Sequence, residues 1–215
     1  MSGSVPGQDS ENAQIVLGLL ESVERDGAQS QRRLAADLGI ALGLVNTYLK
    51  RCVNKGLVKV SEAPARRYAY YLTPQGFAEK SRLTVEYLSS SFGFFRQAKG
   101  DCLRVLEQAK LNGVNRVVLA GCSDLAEIAA ICAMETGATI VCVWDPRATV
   151  TRFAGQPVTA GLGTITGRFD AIMITDLTTP LDTYAAAAAH IGGDRVLVPN
   201  LLRIQMRQPN AAVAS

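Results

Sequence analysis

The sequence predicts two domains: an α+β domain of three helices, a β-hairpin and a long helix, followed by a small α/β domain with a mostly parallel sheet. Apolar residues recur at helical spacing in the first quarter of the chain, and two short β-branched or aromatic runs follow them. Beyond Asn112-Gly113, apolar strands alternate with helical segments, as in a parallel sheet flanked by helices. A chain of 215 residues, 48% of them hydrophobic, is sufficient for two such cores.

The first domain is predicted over residues 11–90, after a disordered tail of residues 1–10 that is rich in Gly, Ser, Pro and Gln. Helix breaks, an N-cap and β-branched runs delimit its elements. In order, these are a helix from Glu11 to the break at Gly27, a helix between the N-cap Ser30 and Gly39, a helix at about 42–55, strands at 57–62 and 67–73, and a long helix from Pro74 toward Lys110 with breaks at Gly93 and Gly100.

Residues 91–112 are predicted to form a helical linker or dimerisation segment. Large apolar side chains concentrate near its start, which suits a subunit interface, although burial against their own domain is the alternative. They are Tyr87, Phe92, Phe94 and Phe95.

The second domain is predicted over residues 113–204, followed by a frayed tail at 205–215. Its strands are expected at 116–121, 139–145, 169–176 and 194–199, and its helices at 123–137 and 181–191.

Composition excludes several classes of protein. The five cysteines are odd in number and widely spaced, so they predict neither a disulfide framework nor a metal knuckle, and they indicate a reducing, cytoplasmic compartment. The amino terminus lacks a basic start followed by an apolar core, and no apolar run reaches about 18 residues. We therefore expect neither secretion nor membrane insertion, and no metal site.

Positive charge is concentrated in one part of the chain. Residues 28–82 contain ten Lys or Arg against three acids, a net charge of +7, whereas residues 113–215 contain seven arginines and eight acids. A local basic patch suits a polyphosphate partner, and a merely solvated surface is the alternative.

A helix-turn-helix motif accounts for the short helix that ends at Gly39. Such a motif needs a small residue where the helices cross, a glycine in the turn and a branched apolar residue that locks the second helix, and these are Ala35, Gly39 and Val45. The other side of the second helix is then free to enter the DNA major groove. That side carries Leu42, Gly43, Asn46, Thr47, Lys50 and Arg51.

Each residue type on this helix has a use in recognising DNA. Asn46 suits the edge of an adenine, Thr47 suits a base or a phosphate, and Lys50 and Arg51 neutralise phosphate. Leu42 or its neighbour Leu44 suits a thymine methyl group.

Two arginine pairs flank the motif. In the hairpin, Arg66 and Arg67 suit a minor groove or a phosphate strand, and Arg32 and Arg33 near the start of the first helix suit the DNA backbone. Double-stranded DNA is thus the predicted partner, and a plain interaction module is the alternative.

The run SQRRLAADLGIALGLVNTYLKRCVNKGLVKV, followed by YYLTPQGFAEK, resembles the winged helix-turn-helix domain of MarR-type transcriptional regulators, particularly the subgroup associated with exopolysaccharide gene clusters. The resemblance covers about residues 11–90. It implies a homodimeric regulator that binds a near-palindromic operator through the helix holding Asn46 and Thr47. The sequence departs from the family pattern at Ala41, where a capping serine is common, and at Leu44, where a polar residue often lies.

A second motif, VVLAGCSDLAEIAA, resembles a dinucleotide fingerprint that has lost two glycines. Its three glycine positions hold Gly121, Ser123 and Ala126. Ser123 restricts the approach of a pyrophosphate, and Asp124 adds negative charge where phosphate would lie. Asp145, which ends the second strand, is near the position of an acid that holds a ribose. The candidate cofactor-binding residues are Gly121, Ser123, Asp124 and Asp145.

The second domain is therefore expected to be Rossmann-like. Its layout resembles winged-helix repressors that sense redox state through a carboxy-terminal nucleotide-binding domain, and also sugar-nucleotide and acyltransferase accessory domains. A nucleotide or sugar-nucleotide effector is the predicted ligand, and a domain that only packs or dimerises is the alternative.

The sequence predicts no enzymatic activity and no catalytic residue. Residues 113–215 contain no lysine and a single histidine, so Tyr184 lacks the lysine that a short-chain reductase would use. A nucleotide-dependent enzyme remains an alternative, as does redox sensing through a thiolate at Cys122, which lies near a helix N-terminus. A small residue that fits a tight turn is the other interpretation of Cys122.

Overall fold

The computed structural model describes residues 6–63 and 67–204, and the chain divides into two compact units, 1–92 and 93–215. Unit 1 contains α1 (Pro6–Arg25), α2 (Gln31–Leu38), α3 (Leu42–Asn54), β1 (Val58–Ala63) and β2 (Arg67–Leu72). The two strands form an antiparallel hairpin. A long helix, α4 (Pro74–Leu111), begins in this unit.

One apolar core holds the helices of unit 1 to the hairpin. Its largest fully buried side chains come from α1, α2, α3 and β1, and they are Leu19, Leu20, Leu34, Val45 and Val58. The loop before α2 pairs with the hairpin, because the amide of Tyr70 donates to the carbonyl of Gly27 at 2.8 Å. A Cβ on residue 27 would lie 2.1 Å from the carbonyl oxygen of Tyr70, so only glycine allows this pairing.

Two helices differ from the sequence prediction. Helix α1 begins at Pro6, inside the segment expected to be disordered. Helix α4 runs through Gly93 and Gly100, so the predicted breaks are wrong. An interior glycine costs a helix about 1 kcal/mol relative to alanine, which the rest of a 38-residue helix outweighs.

Unit 2 is built on a six-stranded sheet with the order β5-β6-β4-β3-β7-β8. Every neighbouring pair is parallel except β5 with β6. The strands are β3 (Arg116–Ala120), β4 (Thr139–Trp144), β5 (Arg152–Phe153), β6 (Gln156–Thr159), β7 (Ala171–Ile174) and β8 (Val196–Leu197). Helices α5 (Asp124–Thr136) and α6 (Pro180–Ile191) connect them.

The sequence missed β5 and β6 because they are two and four residues long and carry no continuous apolar run. Strand β8 is shorter than the predicted 194–199, because residues 193–195 form a 3-10 turn.

The central strand β3 sets the position of the candidate ligand site. The chain leaves β3 toward β4 on one side and later returns to β7 on the other, so the direction of the strand order reverses at β3. In open α/β sheets, ligands bind in the crevice beyond the carboxyl ends of the strands at such a switch point.

Candidate nucleic-acid interface and ligand crevice

The turn between α2 and α3 has the geometry that the motif requires. The Ser30 hydroxyl accepts a hydrogen bond from the Arg33 amide at 3.3 Å and caps α2. Gly39 ends that helix in the left-handed region, with φ +64°, and the amide of Ile40 then donates back to the carbonyl of Ala35. The chain can therefore start α3 at Leu42, three residues after Gly39.

Helix α3 has one buried and one open side. Val45, Tyr48, Leu49 and Cys52 are buried in the core of unit 1. The opposite side carries the predicted contact residues: Leu42, Gly43, Thr47, Lys50 and Arg51 are exposed and Asn46 is half-buried. A helix held by its apolar side and open on its polar side is the arrangement needed for insertion into a major groove.

Two side chains on the open side of α3 make contacts within the helix. The Thr47 hydroxyl donates to the Gly43 carbonyl at 3.0 Å. Its oxygen can therefore only accept a hydrogen bond from a partner outside the helix. The Arg51 guanidinium lies 5.4 Å from the centre of the Tyr48 ring, a cation–π distance that restricts its orientation. Ala41 provides no side-chain cap to the first turn of α3.

The structure describes the side chains of two of the four flanking arginines. Arg32 and Arg33 are exposed on α2, and Arg33 lines a groove of about 620 Å³ between the start of α2 and the hairpin, together with Ser30 and Tyr68. Arg66 lies outside the described residues. Arg67 contributes backbone to β2, and its side chain is outside the described part of the chain.

The crevice of unit 2 lies beyond the carboxyl ends of β3, β4 and β7 and has a volume of about 180 Å³. The loop after β4 contributes Asp145 and Arg147, and the loop after β7 contributes Asp176. Asp145 and Asp176 are 7% and 3% exposed. The other residues that line the crevice include Gly121, Trp144, Thr179, Asp182 and Thr183.

Asp176 organises one wall of the crevice. One carboxylate oxygen accepts the amides of Thr178 and Thr179, and the other accepts the hydroxyls of Thr179 and Thr183 and the Nη2 of Arg147 at 2.5 Å. Burial alone would raise the pKa of Asp176, but the hydrogen bonds from Thr183, Thr178 and Thr179 outweigh it and hold the pKa at about 2. Asp176 is therefore ionised at neutral pH.

Arg147 spans the crevice between the two acids. Its Nη1 donates to the Thr179 hydroxyl at 2.9 Å, in addition to the Nη2 contact with Asp176. Its Nε lies 3.7 Å from a carboxylate oxygen of Asp145. The guanidinium is thus oriented before any ligand arrives, although the side chain is half exposed.

Residues of the loop between β3 and α5 form hydrogen bonds within unit 2. The Cys122 amide donates to Asp145 Oδ2 at 2.9 Å, and the Ser123 hydroxyl donates to the Thr175 carbonyl at 2.5 Å. Gly121 has φ +112°, and a Cβ there would lie 2.6 Å from the Cα of Asp176. This glycine therefore permits close packing of two loops of the protein.

The four predicted cofactor-binding residues separate into two pairs. Gly121 and Asp145 line the crevice. Ser123 instead caps α5 by accepting from the Leu125 amide, and Asp124 is exposed in the first turn of that helix.

Sequence reasoning missed four residues that build the crevice: Arg147, Asp176, Thr179 and Thr183. For Asp176 and Thr179 the available signal was the run TDLTTP directly after an apolar strand, since polar residues that follow parallel strands gather at one edge of a sheet.

The surroundings of Cys122 do not favour a thiolate. Burial raises the pKa of this thiol, and the adjacent Asp145 carboxylate raises it further, to about 11. The position of Cys122 near a helix N-terminus predicted a lowered pKa, but the adjacent acid, Asp145, is 23 positions away in the sequence, so spacing did not indicate it. The lowered pKa expected for Cys122 is therefore not found, and redox sensing through this thiol stays an untested alternative.

The aromatic side chains expected at a subunit interface are exposed to solvent. Tyr87, Phe92, Phe94 and Phe95 are all exposed, so burial against their own domain does not explain them. Over the part of the chain that the structure describes, no helix is long and apolar enough to cross a membrane. The same described residues contain no cluster of three or more potential metal ligands.

A protein family described as winged helix-turn-helix DNA-binding matches residues 13–59. This span holds α2, the turn and α3. The amino-terminal unit contains a winged helix-turn-helix DNA-binding domain. The predicted fold class is confirmed at this level: a winged helix-turn-helix followed by an α/β domain with a mostly parallel sheet. The match covers less than half of the chain and does not test the MarR-type subgroup.

Two solved structures match most of the chain at low similarity. Human N-acetylserotonin methyltransferase in complex with SAM is 14% identical with a TM-score of 0.29, and the match covers 81% of this chain and 72% of that one. An O-methyltransferase (NcsB1) from neocarzinostatin biosynthesis in complex with S-adenosyl-L-homocysteine is 12% identical with a TM-score of 0.34, covering 91% and 83%. No curated protein matches the chain.

Both matched structures are described as methyltransferases, which runs against the expectation from the sequence that this chain has no enzymatic activity. That expectation is withdrawn. At these TM-scores the likeness assigns neither an activity nor a cofactor to this chain.

Proposed function

We propose that the chain is a transcription regulator that recognises a specific duplex DNA sequence with α3 and the β1–β2 hairpin. The observation that carries this proposal is the open side of α3, where Lys50 and Arg51 lie beside Asn46 within a segment of net charge +7. Cations at the edge of a recognition helix bind phosphate, and an amide one turn before them can contact a base edge.

Two small residues at the start of α3 support close approach of DNA. Gly43 is exposed, and a Cβ there would meet nothing within 4 Å, so no packing within the chain requires glycine. Ala41 leaves the first turn without a side-chain cap, and an uncapped helix N-terminus favours a phosphate.

The test is selection of bound duplexes from a random pool, followed by titration of the selected duplex by fluorescence anisotropy. We expect Arg51→Ala to weaken binding about tenfold and to reduce the slope of log affinity against log salt by about 1. Arg168→Ala removes one exposed arginine from unit 2 and is the matched control. Equal affinities for Arg51→Ala and the unmodified protein would remove Arg51 from the interface, and a pool without enrichment would overturn sequence-specific binding.

We propose that the regulator binds DNA as a homodimer, as the MarR-type resemblance implies. The exposed apolar side chains of α4 support this, because large apolar groups open to water are typical of an interaction surface. A symmetric dimer presents two α3 helices about 34 Å apart, one turn of DNA. Sedimentation of Phe92→Glu, in the middle of α4, should give a monomer, whereas Leu111→Glu, at the carboxyl end of α4, should remain dimeric. A monomeric unmodified protein would contradict the dimer.

We also propose that unit 2 senses a nucleotide-type or sugar-nucleotide ligand in the crevice. Two buried carboxylates and an oriented guanidinium at a topological switch point support this role. Trp144 is the single tryptophan and lines the crevice, so its fluorescence provides a direct titration signal.

We further propose that the regulator controls exopolysaccharide genes. This proposal rests on the family resemblance alone, and the operator obtained by selection tests it.

A further inference from the structure

We propose that α4 pairs antiparallel with α4 of a second copy of this chain, along a seam formed by Val85, Leu88, Phe92 and Phe95. This inference rests on the dimer proposed above and deepens it, because it names the contact residues, the direction of the two helices and their register. In this register, Val85 packs against the partner's Phe95, and Leu88 packs against the partner's Phe92.

The middle of α4 is open over several turns. Leu83 is buried in the core of unit 1 and Ala98 in the core of unit 2, and every residue from 84 to 97 is exposed or half-buried. These residues span about 21 Å of helix, or roughly four turns. A stretch of this length can accept a second helix.

Four large apolar side chains in this stretch have the spacing of a helix-pairing seam. Val85, Leu88, Phe92 and Phe95 follow one another at intervals of three, four and three residues, as the a and d positions of a heptad do. They therefore form one stripe along the helix. Because all four are exposed, from 39% at Phe95 to 64% at Val85, the stripe has no partner within the described chain. Such a stripe is typical of a surface that pairs with another helix.

Two further aromatic side chains of α4 lie outside the seam. Tyr87 and Phe94 are seven residues apart and share a side of the helix, but this side is about 120–140° from the centre of the seam. One partner helix cannot cover both sides. Phe94 is therefore a matched control for its neighbour Phe95, since the two side chains are identical and are 37% and 39% exposed.

The order of side-chain sizes along the seam favours the antiparallel direction. The seam begins with Val85 and Leu88 and ends with Phe92 and Phe95, and both pairings of the proposed register are symmetric about residue 90. Symmetry of this kind is what a two-fold contact requires. Each layer then combines one aliphatic group with one phenyl group, which packs evenly. A parallel pair would place phenyl against phenyl at one end and only valine and leucine at the other.

The charges of α4 favour the same direction. Arg82 is bound by Glu79 at 2.9 Å and by Glu86 at 2.8 Å, which gives this group a net charge of −1. Arg96 is exposed and has no ion pair with the described residues. In the antiparallel register, the partner's Arg96 lies level with residue 84, within about 3 Å of Glu86 along the helix axis. In a parallel pair this separation is about 15 Å, and the attraction is lost.

Three consecutive serines provide a way to measure the direction. Ser89 and Ser91 flank the seam on its two sides, and Ser90 is on the opposite side of the helix. In the antiparallel pair, residue 89 of each copy is on the same side of the contact and almost level, and the same holds for residue 91. In a parallel pair, residue 89 of one copy is instead on the same side as residue 91 of the other.

The first experiment is sedimentation of the full chain over a range of concentrations. We expect Phe95→Glu to raise the dissociation constant of the dimer at least thirtyfold, because it places a carboxylate in the seam of both copies. Phe94→Glu should change the dissociation constant less than threefold. Thermal unfolding of each variant separates lost pairing from lost folding.

The second experiment is cross-linking of the full chain with a short bis-maleimide. Ser89→Cys alone and Ser91→Cys alone should each give covalent dimers, whereas Ser90→Cys should give no more than the unmodified protein, whose native cysteines set the background. A mixture of Ser89→Cys with affinity-tagged Ser91→Cys should give few mixed dimers.

Exchange of the two charges tests the register. Arg96→Glu and Glu86→Arg should each weaken the dimer about fivefold, because two exposed ion pairs are replaced by like charges. The chain that carries both substitutions should dimerise within twofold of the unmodified protein. A double variant as weak as the single variants would overturn this register.

The outcomes distinguish failure of this inference from failure of the proposed dimer. A monomeric unmodified chain would overturn both. If the chain is a dimer and Phe95→Glu dimerises equally well, another surface pairs, and the seam is overturned while the dimer stands. Cross-links in the mixture of Ser89→Cys and Ser91→Cys but not in either variant alone would show a parallel pair, and absence of all cross-links would also overturn the antiparallel direction.

Discussion

The two units carry their candidate sites in different ways. In unit 1, the predicted DNA contacts on α2 and α3 fall within residues 32–51, so helical spacing alone places them on open helix surfaces. In unit 2, the crevice joins residues near 121, 145 and 176, which only the order of the strands brings together. A site within one helix pair can be located from local pattern, whereas a site at the ends of several strands depends on topology.

A pair of glycines provides the largest test of this difference. Gly39 in unit 1 and Gly121 in unit 2 both have positive φ, but a Cβ at residue 39 meets nothing within 4 Å, whereas one at residue 121 meets Asp176. We expect Gly121→Ala to lower the free energy of unfolding of unit 2 by about 4 kcal/mol or more. Gly39→Ala should cost unit 1 about 1–2 kcal/mol.

Denaturant unfolding measures both effects. Trp144 fluorescence reports unit 2 alone, because the other unit contains no tryptophan, and hydrogen exchange of α2 and α3 reports unit 1. A loss below about 2 kcal/mol for Gly121→Ala would mean that the two loops can separate at little cost, and the crevice would then be less rigid than the contacts indicate.

The next test concerns the carboxylate network of unit 2. Asp176 has a folded-state pKa of about 2, below its ordinary value near 3.8, so it stabilises unit 2 above pH 4 and loses this contribution as the pH falls toward 2. The shift corresponds to about 2 kcal/mol. We expect Asp176→Asn to destabilise unit 2 by about 2–3 kcal/mol at neutral pH and to remove this step from its acid unfolding curve.

Asp182→Asn is the matched control, because Asp182 lines the same crevice but is exposed on α6. Its acid unfolding curve, measured by Trp144 fluorescence, should match that of the unmodified protein. An unchanged acid step in Asp176→Asn would show that another group produces it.

Sequence reasoning was accurate where a local rule decides the structure. The cap at Ser30, the turn at Gly39 and the alternation of strands and helices after residue 113 each depend on short spacing, and each is present. It was wrong at Gly93 and Gly100, since the cost of one glycine is small beside the packing of a long helix.

The crevice shows the other limit of sequence reasoning. Asp145 was predicted from its position after a strand, but its contact with the Cys122 amide and the contact of Arg147 with Asp176 join residues 23 and 29 positions apart. No periodicity encodes such pairs. They follow only once β3 is known to lie between β4 and β7.

A smaller effect is expected when a glycine in each of two helices is replaced by alanine. Gly43 in α3 and Gly100 in α4 are both exposed, and neither has an atom within 4 Å of a built Cβ. Replacement of either by alanine should stabilise its helix by about 0.5–1 kcal/mol. Only Gly43→Ala should weaken DNA binding, by about fivefold or about 1 kcal/mol, because its methyl group occupies the surface that approaches the duplex.

Anisotropy titrations with the selected duplex measure the affinities, and thermal unfolding measures the stabilities. If Gly43→Ala binds as tightly as Gly100→Ala, the start of α3 does not approach DNA closely, and recognition would depend on the middle of the helix.

The smallest expected effect concerns the reactivity of the Cys122 thiol. Since burial and Asp145 raise its pKa to about 11, alkylation by iodoacetamide at pH 8 should be at least tenfold slower than for free cysteine. Asp145→Asn removes the nearby negative charge, so the pKa should fall and alkylation should accelerate a few-fold. Peptide mapping distinguishes Cys122 from the buried Cys102, Cys132 and Cys142. Rapid alkylation of Cys122 in the unmodified protein would instead restore a reactive thiolate and with it a redox role for this loop.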